Sequence, residues 1–105
     1  MKVQTILSPT SQARREDFEK LSVAEERVVW QHYTQGRLRE LYFQADPIRV
    51  VLVWETADLS QVPDLMNTFP MIRAGLFQVE TIVLGPWVPI LALFRDDVKA
   101  EAGRS

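Results

Sequence analysis

At 105 residues, with 47% hydrophobic and 25% charged side chains, the chain is long enough to bury one core and too short for two. A net charge of −2, with basic residues scattered or set beside acids as in Arg14-Arg15-Glu16-Asp17, offers no positive field for nucleic acid, and the lack of cysteine excludes disulfides and thiolate metal sites. No stretch approaches the roughly 20 apolar residues of a membrane span and no signal-type apolar run opens the chain, so the expectation is a soluble, cytoplasmic protein with no membrane partner.

In chain order, Lys2–Leu7 reads as a short strand stopped by Ser8-Pro9. From Ser11 to Gln35 there is no glycine or proline, and the richness in Glu, Arg, Gln and Ala predicts a long helix with Gly36 as its stop. Two β-rich runs, Leu38–Ala45 and Ile48–Glu55, are separated by Asp46-Pro47, a turn signal that suits a hairpin. A second helix is predicted over Ser60–Thr68, capped by Ser60 with Pro63 in its first turn. Phe77–Leu84 is the last strand, ended by Gly85-Pro86. The order β-α-β-β-α-β is the ferredoxin-like pattern, an α+β fold with a four-stranded antiparallel sheet and both helices on one face.

That architecture leaves the other sheet face bare. Val50, Leu52 and Trp54 alternate with Val51 and Val53, and Phe77, Val79 and Val83 alternate with Ile82 and Leu84, so both faces carry apolar residues and the bare one predicts sheet-to-sheet dimerisation. Residues 86–94 hold Trp87, Val88, Ile90, Leu91, Leu93 and Phe94 with no charge. Two placements are open: the segment reaches over a neighbouring subunit, or it folds back on its own helices. Residues 95–105 read as a polar tail.

Within the long helix, Phe18, Leu21, Val28 and Val29 fall in one stripe at 100° per residue, and Glu25 and His32 fall in its middle. Polar groups there carry a desolvation cost unless they are hydrogen-bonded or face a wet cavity. Seven residues apart, they stand roughly 10 Å from one another, with room for a small ligand between them. Each has a second reading. His32 suits a core residue bonded to backbone, and Glu25 suits an ion pair with Arg39, Arg49 or Arg73. Tyr42 and Trp54 are read either as pocket-lining or as core aromatics, and Trp30 with Val23 lies on the opposite helix face as an oligomer contact. With one histidine, no cysteine, no Gly-x-Gly-x-x-Gly, no P-loop and no nucleophile elbow, no metal or cofactor is expected.

The passage Phe69-Pro70-x-Ile72-x-Ala74-Gly75-Leu76-Phe77 leading to Leu84-Gly85-Pro86, and the helix ending at Gly36 before Arg37-Leu38-Arg39-Glu40-Leu41-Tyr42, resemble the muconolactone isomerase-like branch of the dimeric α/β-barrel superfamily. The resemblance covers residues 1–94 and is most specific over 69–86. It implies a single ferredoxin-like domain over 1–94, a homodimer or higher homo-oligomer with segment 86–94 between subunits, and a small-molecule pocket between helices and sheet. It also implies a glutamate at the place of Glu25, while His32 has no counterpart. The superfamily includes isomerases, cofactor-free monooxygenases and haem enzymes, so a fold match does not name a reaction. The working expectation is a cofactor-independent enzyme moving a proton on a small carbonyl, lactone or aromatic compound. Glu25 and His32 would be catalytic in it, with Arg39, Tyr42 and Trp54 binding substrate. The alternative is a non-catalytic oligomeric binding or structural protein.

Overall fold

The structure, a computed structural model, describes residues 1–95, so the expected polar tail lies, beyond Arg95, outside the described residues. Four strands, β1 (Lys2–Pro9), β2 (Leu38–Ala45), β3 (Ile48–Glu55) and β4 (Phe77–Leu84), form one antiparallel sheet in the order β2-β3-β1-β4. Strand β1 runs two residues past its predicted end, because Ser8 and Pro9 still pair with Gln78 and Phe77 of β4. On its other side the pairing with β3 stops at Leu7, so the N–H that Pro9 lacks is not missed there.

Helix α1 (Arg15–Thr34) starts four residues later than Ser11. The Asp17 carboxylate accepts from the Arg14 N–H at 3.2 Å and sets the start, and Gly36, with φ +81°, takes the left-handed turn after the end. The β2–β3 hairpin turns on Asp46 and Pro47, joined by a cis peptide bond.

The second predicted helix, Ser60–Thr68, is present as a 3-10 turn (Leu59–Gln61) running into α2 (Val62–Met66), and a further short helix not expected from the sequence, α3 (Pro70–Arg73), follows after a break. Asp58, not Ser60, is the cap, its side chain accepting from the Ser60 N–H at 2.8 Å. The break falls at Phe69, which is extended (φ −85°, ψ 122°) because the ring of Pro70 disfavours helical geometry in the residue before it.

The core lies between the sheet and these helices: Val3, Leu7, Leu38, Leu52, Trp54, Val62, Met66, Phe69, Met71, Leu76 and Phe77 are buried, with Phe18, Leu21, Val28 and Val29 of α1 packed against them. Helical cover is centred on β1 and β3. Phe43 on β2 and Val83 on β4, both on the helix side, remain 69% and 50% exposed.

One irregularity decides which side chains share a face. Leu38 pairs with Trp54, yet Glu40 pairs with Val53, so Arg39 is an extra residue in β2. Such a bulge reverses the parity of everything after it. Leu41 and Phe43 therefore face the helices opposite Leu52 and Val50, and Tyr42 faces the bare side opposite Val51. That bare face is mixed: Ile6, Val51 and Val53 run along its middle, with Glu40, Arg49 and Glu80 on the flanking positions.

After β4 the chain forms a 3-10 helix, Val88–Phe94, with no buried residue; Trp87 is 74% exposed and Phe94 62%. Within the described chain the segment does not fold back over the helices. No helix among the described residues is long and apolar enough to cross a membrane.

Candidate functional site

A cavity of about 320 Å³ opens between the stretch of α1 from Phe18 to Val29 and the sheet. Its sheet wall is apolar: Leu7, Phe43, Ile48, Val50, Leu52 and Phe77, with Phe69 and Met71 from the approach to α3. Its helix wall holds Phe18 and Val29 together with all the polar groups, Glu19, Ser22, Glu25 and Glu26. The division follows from the sequence, because β-branched and aromatic residues on the covered side of a sheet turn apolar groups inward, whereas α1 interrupts its apolar stripe with Glu25.

Glu25 is buried, at 6% exposure. Its Oε1 accepts from the Met71 N–H at 2.9 Å, satisfying one of the first backbone donors of α3. Among the described residues it forms no ion pair; Arg73 turns to the carbonyls of Asn67 and Thr68 instead. Among the described residues the second oxygen, Oε2, has no hydrogen-bond partner. It is not one of the sealed-off atoms either, Thr56 Oγ1 being the only enclosed side-chain oxygen without a partner there. Desolvation raises the Glu25 pKa above its ordinary 4.5, reinforced by the neighbouring Glu26 and opposed by the Met71 N–H and by Arg73.

His32, on the same helix face, does not reach the cavity. The Thr68 hydroxyl donates to the Leu65 carbonyl at 2.6 Å, so it accepts from His32 Nε2–H at 2.8 Å. His32 Nδ1 accepts from Arg37 Nε and Nη2 at 3.3 and 3.2 Å. Both ring nitrogens are engaged with the ring neutral, and desolvation together with the Arg37 charge holds its pKa below 6.5. The ring packs against Trp54 and Phe69 at centroid distances of 5.1 and 5.4 Å. His32 is thus a core residue whose partners are side chains rather than the expected backbone carbonyl, and it offers no free nitrogen to a haem iron.

The three expected substrate-binding residues also lie elsewhere. Trp54 is fully buried, its Nε1–H donating to Thr5 Oγ1 at 2.9 Å, on the His32 side of the core. Tyr42 lies on the bare sheet face with its hydroxyl donating to Glu40 at 2.9 Å. Plain alternation would have put Tyr42 beside Val50; the bulge moved it. Arg39 is that bulge residue, near the Gly36 carbonyl and the Glu55 carboxylate. Of the five residues, Glu25 alone lines the cavity. Sequence reasoning missed Ser22 and Phe43. Ser22 lies one turn before Glu25 and was findable by helical spacing, but Phe43 needed the bulge.

No protein-family model and no curated protein matches the sequence. Among solved structures, 5-chloro-2-hydroxyhydroquinone dehydrochlorinase of Burkholderia phenoliruptrix, in complex with 2,5-dihydroxybenzoquinone, is similar with a TM-score of 0.69. The match covers 81% of this chain and 94% of that one at 12% sequence identity. The likeness establishes the fold, the ferredoxin-like architecture of an antiparallel four-stranded sheet with helices on one face.

Proposed function

We propose that the protein is a cofactor-independent enzyme that moves a proton on a small organic compound held in the α1–sheet cavity, with Glu25 as the proton carrier. The observation that supports this most is a buried carboxylate with one oxygen anchored by Met71 and the other unpartnered among the described residues, facing an apolar sheet wall. Anchoring fixes the direction of Oε2, and the raised pKa brings its protonated and ionised forms closer in energy near neutrality, the condition for both accepting and returning a proton. The balance is simple: a C–H or O–H proton of the ligand passes to Oε2 and returns to another atom of the same ligand, with no change of oxidation state. A dehydrochlorinase bound to a quinone on the same fold supports a cavity suited to one-ring compounds.

The reading is tested by proton exchange in deuterated buffer across a panel of cyclic enolisable ketones, lactones and phenols. Wild type should accelerate exchange on at least one compound, and Glu25→Gln should slow it by about 100-fold or more while remaining folded by circular dichroism. No acceleration by the wild type, or an undiminished rate in the variant, overturns it. The Met71 bond also favours the second reading, a non-catalytic binding or structural protein in which Glu25 only caps α3; there, wild type exchanges nothing.

We further propose that the domain over 1–94 works as a homo-oligomer, joined through the bare sheet face and clasped by segment 86–94. The exposure of Trp87, Ile90, Leu91, Leu93 and Phe94 supports this, because burying a Trp and a Phe against a neighbour contributes on the order of 3–6 kcal/mol before ordering costs. Light scattering should show at least a dimer at micromolar concentration; a stable monomer would end the idea.

A further inference from the structure

The polar groups of the cavity share one sign and one hydrogen-bonding role. Glu19, Glu25 and Glu26 line it, and among the described residues no Lys, Arg or His does. Arg15 sits 3.5 Å from Glu19, but that pair is exposed and offsets little. Glu26 makes no ion pair among the described residues. Donors are absent as well as cations. The Ser22 hydroxyl spends its proton on the Glu19 carbonyl at 3.1 Å, and the Met71 N–H is spent on Glu25 Oε1. The remaining lining side chains are apolar. With Glu25 ionised, the wall presents acceptors only: its Oε2, the carboxylates of Glu19 and Glu26, and the lone pairs of Ser22.

We infer that the cavity selects an uncharged ligand that brings a hydrogen-bond donor to Glu25 Oε2, and turns away ligands carrying a carboxylate. The inference rests on reading the cavity as a ligand site and goes further by naming the ligand's charge and hydrogen-bonding character. A ligand carboxylate entering here would lose its hydration, meet three like charges and find no donor to replace water. A neutral hydroxyl on an aromatic ring meets the opposite situation. Its O–H pairs with Oε2, and its ring contacts Phe18, Phe43, Phe69 and Phe77, whose faces and edges accommodate offset and edge-on packing. Size agrees: an apolar cavity of roughly 150 Å³ holds benzene, so about 320 Å³ takes one ring with substituents. Neutral Ser22 and charged Glu25, one turn apart on the same wall, allow two donors on one ring to be read together.

Phenol and benzoate differ in charge at nearly equal size and provide the test. The full chain, labelled with nitrogen-15, is titrated with each at about pH 8, where phenol is neutral, and the amide signals of Ser22, Glu25 and Met71 are followed. Phenol should shift them saturably, and benzoate should bind at least about tenfold more weakly. Glu25→Gln supplies an N–H donor and removes a charge, so benzoate should gain on phenol. The exposed pair of changes Glu19→Gln and Glu26→Gln should narrow the gap without touching the core. Benzoate binding wild type as tightly as phenol overturns the charge selection while leaving the cavity a ligand site. Failure of both compounds to move these signals at about 10 mM overturns the inference together with the ligand-site reading beneath it.

Discussion

Two stretches of helix α1, its middle and its last turn, pose one problem and solve it in opposite ways. Each places a polar residue, Glu25 or His32, in the middle of an apolar stripe, and each residue is buried, at 6% and 4% exposure. At the C-terminal end the surroundings are filled: Trp54 and Phe69 close on the His32 ring, and Thr68 and Arg37 take both of its nitrogens. In the middle of the helix the sheet wall stands back, and Glu25 keeps one oxygen without a partner among the described residues. A buried polar residue with all its partners in the protein is spoken for, and one with a spare lone pair beside a void is left able to meet a ligand.

The contrast breaks first at the packed end. His32→Ala removes a ring held between two aromatics and strands the Thr68 hydroxyl and Arg37, and should cost about 3–4 kcal/mol by urea unfolding. Ser22→Ala, at the cavity end, removes only a bond to a helix carbonyl and should stay within about 0.5 kcal/mol. Equal costs would erase the distinction between the two stretches.

A smaller effect sharpens it, because the two residues respond to pH in opposite senses. The His32 pKa is depressed in the fold, so its contribution is present above 6.5 and lost as pH falls through the folded value. The Glu25 pKa is raised, so its contribution is present below 4.5 and lost as pH rises through the folded value. Melting temperatures from about pH 4 to about pH 8 should show His32→Gln losing least, relative to wild type, at the acid end, where wild-type His32 must charge. Glu25→Gln should gain on wild type toward the alkaline end. Parallel curves for the two variants would mean that neither residue is perturbed as its burial requires.

The sequence by itself determined the order of strands, the extent of α1 to within one turn at its start, the single apolar face of that helix and the two polar residues on it. These depend on local chemistry: side-chain period, the absence of Gly and Pro, and the positive φ that Gly36 supplies. Only the tertiary structure decided which of those residues meets a cavity. Whether a side chain faces a filled or an empty space depends on what the far strand sends back, and on that wall Trp54 fills the space beside His32 while nothing fills the space beside Glu25. The faces of Tyr42 and Phe43 were beyond local pattern for a related reason. A single extra residue at Arg39 reverses the alternation, and a bulge is a property of two paired strands that neither strand's own sequence displays.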